Sequence, residues 1–240
     1  MGRNSYRSME EALALEARLK KREAFKQAEA EALAVAAGKK PGSKVQKPAK
    51  AGSGGAGEVR IIGGQWRRTR LAVAQRPGLR PTPDRVRETL FNWLGQDLGG
   101  WRCLDAFAGT GALGFEAASR GAAQVRLVES DSGLAQQLER LAQQLVAEGV
   151  HVQRGDGVAA ISQSAPGHWH AIFIDPPFGV EALFAPAIKA AAQAVAGDGF
   201  IYLEAPKAWT DEELAEWGLQ QHRYLKAGQV HAHLLKKIAA

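Results

Sequence analysis

The chain has a single cysteine in 240 residues, Cys103. One thiol excludes a disulfide framework and a zinc site built on cysteine pairs. Its place in "WRCLDAF" marks it as a small core residue on a strand. No apolar run approaches the ~20 residues of a membrane span. The N-terminus lacks the apolar segment of a signal peptide, and Tyr6 stands where a myristoylation sequence has Ser or Thr. These absences describe a soluble, cytoplasmic protein with no membrane partner. Acidic residues are nearly missing from residues 59–87, which hold one Asp against eight Arg. Glycine and proline are absent from residues 8–37.

The charge that is present is uneven. Residues 1–57 carry 12 Lys and Arg against 6 Asp and Glu, a net of +6, whereas residues 58–240 carry 19 of each. Basic charge in the first third of the chain suits a partner with a phosphate backbone, and for residues 1–57 a solubilising tail is an equal alternative. Residues 8–37 are rich in Ala, Glu, Leu and Lys, which predicts an isolated helix supported by the i,i+4 pair Glu16 and Lys20. Residues 38–57 contain six Gly and five Lys and read as a flexible basic linker. The expected organisation is a largely disordered extension over 1–57 and a folded domain over 58–240. Within that domain, 58–82 form a basic hairpin region and 83–240 the core.

From Trp101 onward, short apolar strands alternate with helices of about ten residues. "RCLDAF", "AQVRLVES", "VHVQRGD", "WHAIFID" and "GFIYLEA" are the strands. This alternation predicts an α/β fold, a Rossmann-like parallel sheet with helices on both faces. The last segment differs, because "LQQHRYLKAGQVHAHLLKKI" reads as two strands turning at Ala227-Gly228, an antiparallel hairpin. Pro186 is a candidate kink in the helix "EALFAPAIKAAAQAV". Another helix starts near Pro83 with Thr82 as its N-cap, and Gly63-Gly64 is read as the turn between two short basic strands.

"LDAFAGTGALG" places Asp105 at the end of the first core strand and then Gly109, Gly111 and Gly114. In open α/β sheets the ligand lies at the carboxyl ends of the strands. The glycines let a ligand approach the backbone, and the spacing is literally G-x-G-x-x-G, which also fits a nicotinamide dinucleotide. Glu129, at the end of the second strand, suits a ribose diol in either case. Asp105 favours a cationic ligand such as S-adenosylmethionine, because an acid before the loop repels a pyrophosphate. Asp156, after the third strand, is either an acceptor for an adenine amine or a helix N-cap.

"AIFIDPPFGV" ends the fourth strand abruptly, since neither Pro176 nor Pro177 can extend a sheet ladder. An exocyclic amine of a nucleobase is a poor nucleophile because its lone pair is delocalised into the ring. Asp175 and the Pro176 carbonyl can accept its two N–H bonds and favour a pyramidal nitrogen. Phe178 can stack on a base swung out of its helix. The bland alternative is a strand-terminating loop whose aromatic ring packs locally. Beside Asp105, the glycine loop and Glu129, the methylation of a base amine accounts for more of these residues.

Four segments, "IIGGQWRRTRL", "RPTPDRVRETLFNWL", "LDAFAGTGALGFEAASRGA" and "IDPPF", together resemble the bacterial RsmD family, over roughly residues 60–236. These are 16S rRNA guanine-N2 methyltransferases, named for guanine 966. The resemblance implies a class I S-adenosyl-L-methionine-dependent methyltransferase with a small N-terminal β-hairpin facing RNA. It implies cofactor contacts from Asp105, Ala108, Gly109, Thr110, Gly111, Glu129, Ser130, Asp156 and Gly157, with Thr82 and Arg85 beside that pocket. Asp175, Pro176, Pro177 and Phe178 become the catalytic loop. The partner is 16S rRNA, in an assembling 30S subunit, met by a monomeric enzyme. The first 57 residues fall outside the resemblance.

For RNA contact the candidates are Arg60, Arg67, Arg68, Arg70 and Arg80, with Trp66 as an aromatic platform. Arginine donates in a fork and positions a nucleic-acid backbone, although charge can also simply guard a sheet edge. Arg85, Arg87 and Glu88 have a structural alternative, pairing with acids of the domain. No metal is expected, and His168, His170, His231 and His233 are read as non-functional. Two other activities remain open at this point. One is an N6-adenine DNA methyltransferase with the same loop chemistry. The other is an NAD(P)-dependent oxidoreductase using "GTGALG", which leaves the DPPF segment unexplained.

Overall fold

The computed structural model describes residues 58–72, 83–177 and 179–239. The extension of residues 1–57, Arg80, Thr82 and Phe178 lie outside the described residues. The chain divides into two units, one of residues 56–140 with 148–240 and one of residues 1–55 with 141–147. The architecture that follows is that of the first unit.

Two short strands, β1 (Glu58–Arg60) and β2 (Arg70–Ala72), pair antiparallel with Arg60 opposite Arg70. After α1 (Asp84–Leu94) comes the main sheet. Its parallel strands are β3 (Arg102–Asp105), β4 (Gln124–Glu129), β5 (Val150–Arg154), β6 (Trp169–Ile174) and β7 (Val195–Ala205). The hairpin of β8 (Leu219–Ala227) and β9 (Val230–Lys237) completes it, giving the order β5-β4-β3-β6-β7-β9-β8. β9 thus lies antiparallel between β7 and β8. Helices α2 (Ala112–Ser119), α3 (Ser132–Gln144), α4 (Gly157–Ser162), α5 (Phe184–Ala194) and α6 (Asp211–Ala215) connect these strands.

The apolar runs of the strands follow from burial on both faces. Leu104, Ile172, Ile201, Leu203 and Leu235 pack on one face against Ala160 and Ile161 of α4 and Ile188 of α5. On the other face Phe173 of β6 meets Phe91 of α1 at 6.1 Å between ring centroids. Cys103 is fully buried, and burial, with Asp105 nearby, pushes its thiol up to about 12. It remains a protonated core residue.

α2 is buried along its whole length, including Glu116 and Ser119. A helix enclosed on all sides is ordinarily apolar, and a buried carboxylate needs partners. The basic hairpin supplies them. Glu116 accepts from the backbone N–H of Ile62 (2.8 Å) and Gly63 (2.7 Å) and pairs with Arg120 (2.9 Å) and Arg87 (3.5 Å). Ser119 donates to the Gly63 carbonyl at 2.6 Å and accepts from the Trp66 N–H at 2.9 Å. The polar centre of α2 is therefore the socket that holds the hairpin on the domain.

Three local expectations are corrected here. Gly63-Gly64 is not a tight turn between strands, because the connection spans residues 61–69 and is stitched by Ile61 and Thr69 and by Arg68 and Ile61. Gly64 serves the docking instead: its φ is +72°, and a Cβ there would lie 1.8 Å from the Ser119 carbonyl oxygen. The cap position of α1 is Pro83, with no side-chain cap, and not Thr82. Proline fits there because its fixed φ suits the approach to a helix. Pro186 does not kink α5. It sits in the first turn, where its missing N–H has no intrahelical partner to lose, and a 3-10 turn over Glu181–Leu183 precedes it.

Candidate active site

The carboxyl ends of the parallel strands bring five acids together in sheet order. Asp156 follows β5, Glu129 ends β4, Asp105 ends β3, Asp175 follows β6, and Glu204 lies near the end of β7. The chain leaves β3 toward β4 on one side, and β6 flanks it on the other. This is the switch point at which open α/β sheets bind ligands.

Asp105 is only 2% exposed, and its Oδ2 accepts from the Gly114 N–H at 3.0 Å. Burial raises its pKa to about 7, with Glu129 adding to the rise and the backbone N–H groups of Gly114 and Phe107 opposing it. The folded protein therefore retains a proton here that an unfolded chain, at the ordinary 3.8, has already released. Stability therefore falls as pH rises from about 4 to about 7. Asp105→Asn, which cannot titrate, will melt above the parent at about pH 8, and the gap will close toward about pH 4. Thermal unfolding across that range checks this, and parallel profiles would contradict it.

Around Asp105 the glycine loop is held from the neighbouring strand. Glu129 accepts from the Gly109 N–H and the Asp131 N–H, each at 2.8 Å, and from the Ser130 hydroxyl at 3.3 Å. Ala108 and Thr110 are buried, and Gly111 caps α2 with φ +76°. A Cβ at Gly111 would fall 2.6 Å from side-chain carbons of Leu138 and Phe115. Asp156 is exposed and caps α4, accepting from the Ala159 N–H at 2.7 Å, with Gly157 buried behind it. Arg85 is exposed on α1.

On the other side of the switch point, Asp175 is half-buried, Pro176 buried and Pro177 exposed. With Glu181, Phe184, Glu204 and Pro206 they line a cleft of about 360 Å³, part of it open to solvent. Glu204 is 7% exposed, and its Oε1 accepts from the Tyr202 hydroxyl at 2.6 Å. That second carboxylate was not among the sequence candidates. Its only signal was an acid closing the apolar run "FIYLEA", the pattern that Asp105 and Asp175 share.

The hairpin residues separate into two groups. Arg67 and Arg68 are exposed, and Arg68 holds φ +67°, uncommon for a residue with a side chain. Arg60 and Arg70 are also exposed but pair with Asp84 and Glu58, each at 2.9 Å. Trp66 is a correction: it is 7% exposed, so its ring packs inward and offers no face to a base. Arg87 is buried and spans the Arg60 carbonyl, Asp84 and Glu116. Among the described residues no group of three or more His, Cys, Asp and Glu side chains is placed to hold a metal ion. No helix among them is long and apolar enough to cross a membrane.

Five parallel strands in this order, followed by an antiparallel strand inserted before the last, define the Rossmann-like fold of class I S-adenosylmethionine-dependent methyltransferases. The solved Escherichia coli yhhF protein matches it with a TM-score of 0.65 at 36% identity, over 77% of this chain and 100% of that one. The chain belongs to the family described as conserved hypothetical protein 95, the RsmD family, which matches residues 59–236. The ribosomal RNA small subunit methyltransferase D of Escherichia coli strain K12 is 49% identical over 124 residues, 52% of this chain. Its Haemophilus influenzae counterpart is 47% identical over 126 residues, 51% of this chain. The aligned segments span 62% and 65% of those relatives, less than two thirds of each.

Proposed function

We propose that this chain methylates the exocyclic N2 of a guanine in 16S rRNA, using S-adenosyl-L-methionine, as a cytoplasmic monomer acting on the assembling 30S subunit. The observation that carries the reading is the placement of Asp105 and Asp175. Asp105 ends β3 opposite Phe173 of the adjacent parallel strand β6, and Asp175 follows beyond the end of β6, one acid facing the glycine loop and the other the open cleft. The relatives' names supply the class of acceptor, rRNA of the small subunit.

The residues fit the cofactor. Asp105 is a buried carboxylate whose pKa burial and the nearby Glu129 raise to near neutrality, and a bound ammonium group would favour its ionised form. Glu129, at the end of the next strand, suits a ribose diol, and Asp156 faces the same edge of the sheet. A dinucleotide fits less well, because its pyrophosphate would add negative charge beside Asp105 and Glu129. When bound, S-adenosylmethionine supplies an electrophilic methyl group on a sulfonium. Asp175 and the Pro176 carbonyl accept the two N–H bonds of the base amine and turn its lone pair toward the glycine-loop side. Two prolines fix that geometry. No proton needs to leave before attack, since the amine becomes acidic only once it carries the methyl.

The test is incubation with labelled S-adenosylmethionine and rRNA, 30S particles or DNA, followed by mapping of the modified nucleoside. N2-methylguanine in 16S rRNA is expected, and N6-methyladenine in DNA would replace the reading. A second prediction concerns the hairpin. Arg67→Ala with Arg68→Ala will weaken RNA binding and flatten the slope of log affinity against log salt by about 1 to 2, because fewer counterions are released. An unchanged slope would place the RNA elsewhere.

A further inference from the structure

We propose that Glu204, held by Tyr202, is the residue that selects guanine, accepting a hydrogen bond from its N1–H while Asp175 accepts from the N2 amine. This inference rests on the methyltransferase reading above and names the chemistry that reads the base. The geometry comes from strand register. Ile174 pairs with Leu203 and Phe173 with Tyr202, so Asp175 and Glu204 fall side by side on the face of Phe173 and Tyr202. Both line the same cleft.

Tyr202 is 1% exposed and donates to Glu204 at 2.6 Å, which fixes that carboxylate against the sheet. Its phenol stays protonated, pushed well above its usual value by burial and by the neighbouring Glu204 and Asp175. Tyr202 thus donates to Oε1, and Oε2 is the oxygen assigned to the base. Guanine alone among the common RNA bases carries a ring N–H donor, N1–H, beside its exocyclic amine. Adenine and cytosine place a ring-nitrogen acceptor beside their amine. Against Glu204 that acceptor would face a buried carboxylate lone pair, a contact that polar sites reject strongly.

The experiment uses the full chain, a 16S rRNA hairpin oligonucleotide with guanine at the methylated position, and the same oligonucleotide with 2-aminopurine there. 2-Aminopurine keeps the amine and loses the N1–H together with the O6 carbonyl, so the Glu204 variants, and not the parent's preference alone, report on N1–H. The parent protein should prefer guanine by about 100-fold or more in kcat/KM. Glu204→Gln, whose amide can donate to N1, should lose about 100-fold on guanine and under about 10-fold on 2-aminopurine, narrowing the preference. Cofactor affinity by calorimetry should be unchanged. Tyr202→Phe, which frees Glu204 without removing it, should narrow the preference partway, and it decides the matter if Glu204→Gln fails to fold. A guanine preference retained in both folded variants overturns the role of Glu204 and leaves the methyltransferase reading intact. If the parent binds cofactor yet modifies no guanine in the oligonucleotide, in 16S rRNA or in 30S particles, that earlier reading fails and this one with it.

Discussion

On the proposed methyltransferase reading, Asp175→Ala will lower the rate of methyl transfer to rRNA by at least about 100-fold while leaving the affinity for S-adenosylmethionine within about 2-fold. The asymmetry follows from position. Asp175 lines the cleft past the end of β6, and the glycine loop and Asp105 belong to the end of β3. An acceptor that strengthens its hydrogen bond as the amine gains positive charge acts on the transition state more than on either bound ligand. Asp175→Asn retains a carbonyl acceptor in nearly the same place, so it should recover part of the lost rate. Single-turnover kinetics and calorimetry on both variants separate the effects. A loss of cofactor binding equal to that of Asp105→Ala would merge the two halves of the site and remove this division of labour.

Glu116→Ala will destabilise the folded domain by about 3–5 kcal/mol, because Arg87 and Arg120 would be left as buried charges without their shared carboxylate. Arg87 is 1% exposed and Arg120 8%, so neither can recover solvation without local opening. For a domain of this size the loss corresponds to a fall of roughly 10 °C in melting temperature. The change should also release the hairpin, since Glu116 holds the amides of Ile62 and Gly63. Hydrogen exchange should accelerate at those two amides before it does along β3 and β6. Arg120 additionally lies over the Phe91 ring at 4.9 Å, which ties the same centre to α1. A variant that melts within about 2 °C of the parent and keeps both amides protected would show that the hairpin is held by its apolar contacts alone. Val59, Ile61 and Leu71, all nearly inaccessible, would be those contacts.

Much of the site was legible because strand ends announce themselves. In "RCLDAF", "WHAIFID" and "GFIYLEA" an acid closes an apolar run, and in a parallel sheet such an acid must emerge at the carboxyl edge. Asp105 and Asp175 were read that way, whereas Glu204 has the same signature and was passed over because neither a glycine loop nor a pair of prolines follows it. Local chemistry likewise set the strand–helix alternation and the closing hairpin at Ala227-Gly228. Trp66 was misread because it stands between a glycine pair and an arginine cluster, where sequence gives no measure of burial. Its partner Ser119 lies 53 residues away.

The parallel α/β sheet, the edge of that sheet on which the acids gather, and the resemblance that led to the family follow from the order of the amino acids alone. Hydrophobic period, proline and glycine chemistry act over a few residues, and these features need nothing more. Which acids share a cleft, which arginines face outward, and why a carboxylate sits inside a buried helix emerge from the folded packing. Those outcomes depend on strand order, which sets Glu204 beside Asp175 across 29 residues of chain, and on the docking of residues 61–66 against α2. Pairing over such separations is fixed by the packing of the whole sheet, because no local propensity distinguishes an acid that meets an arginine there from one that meets water.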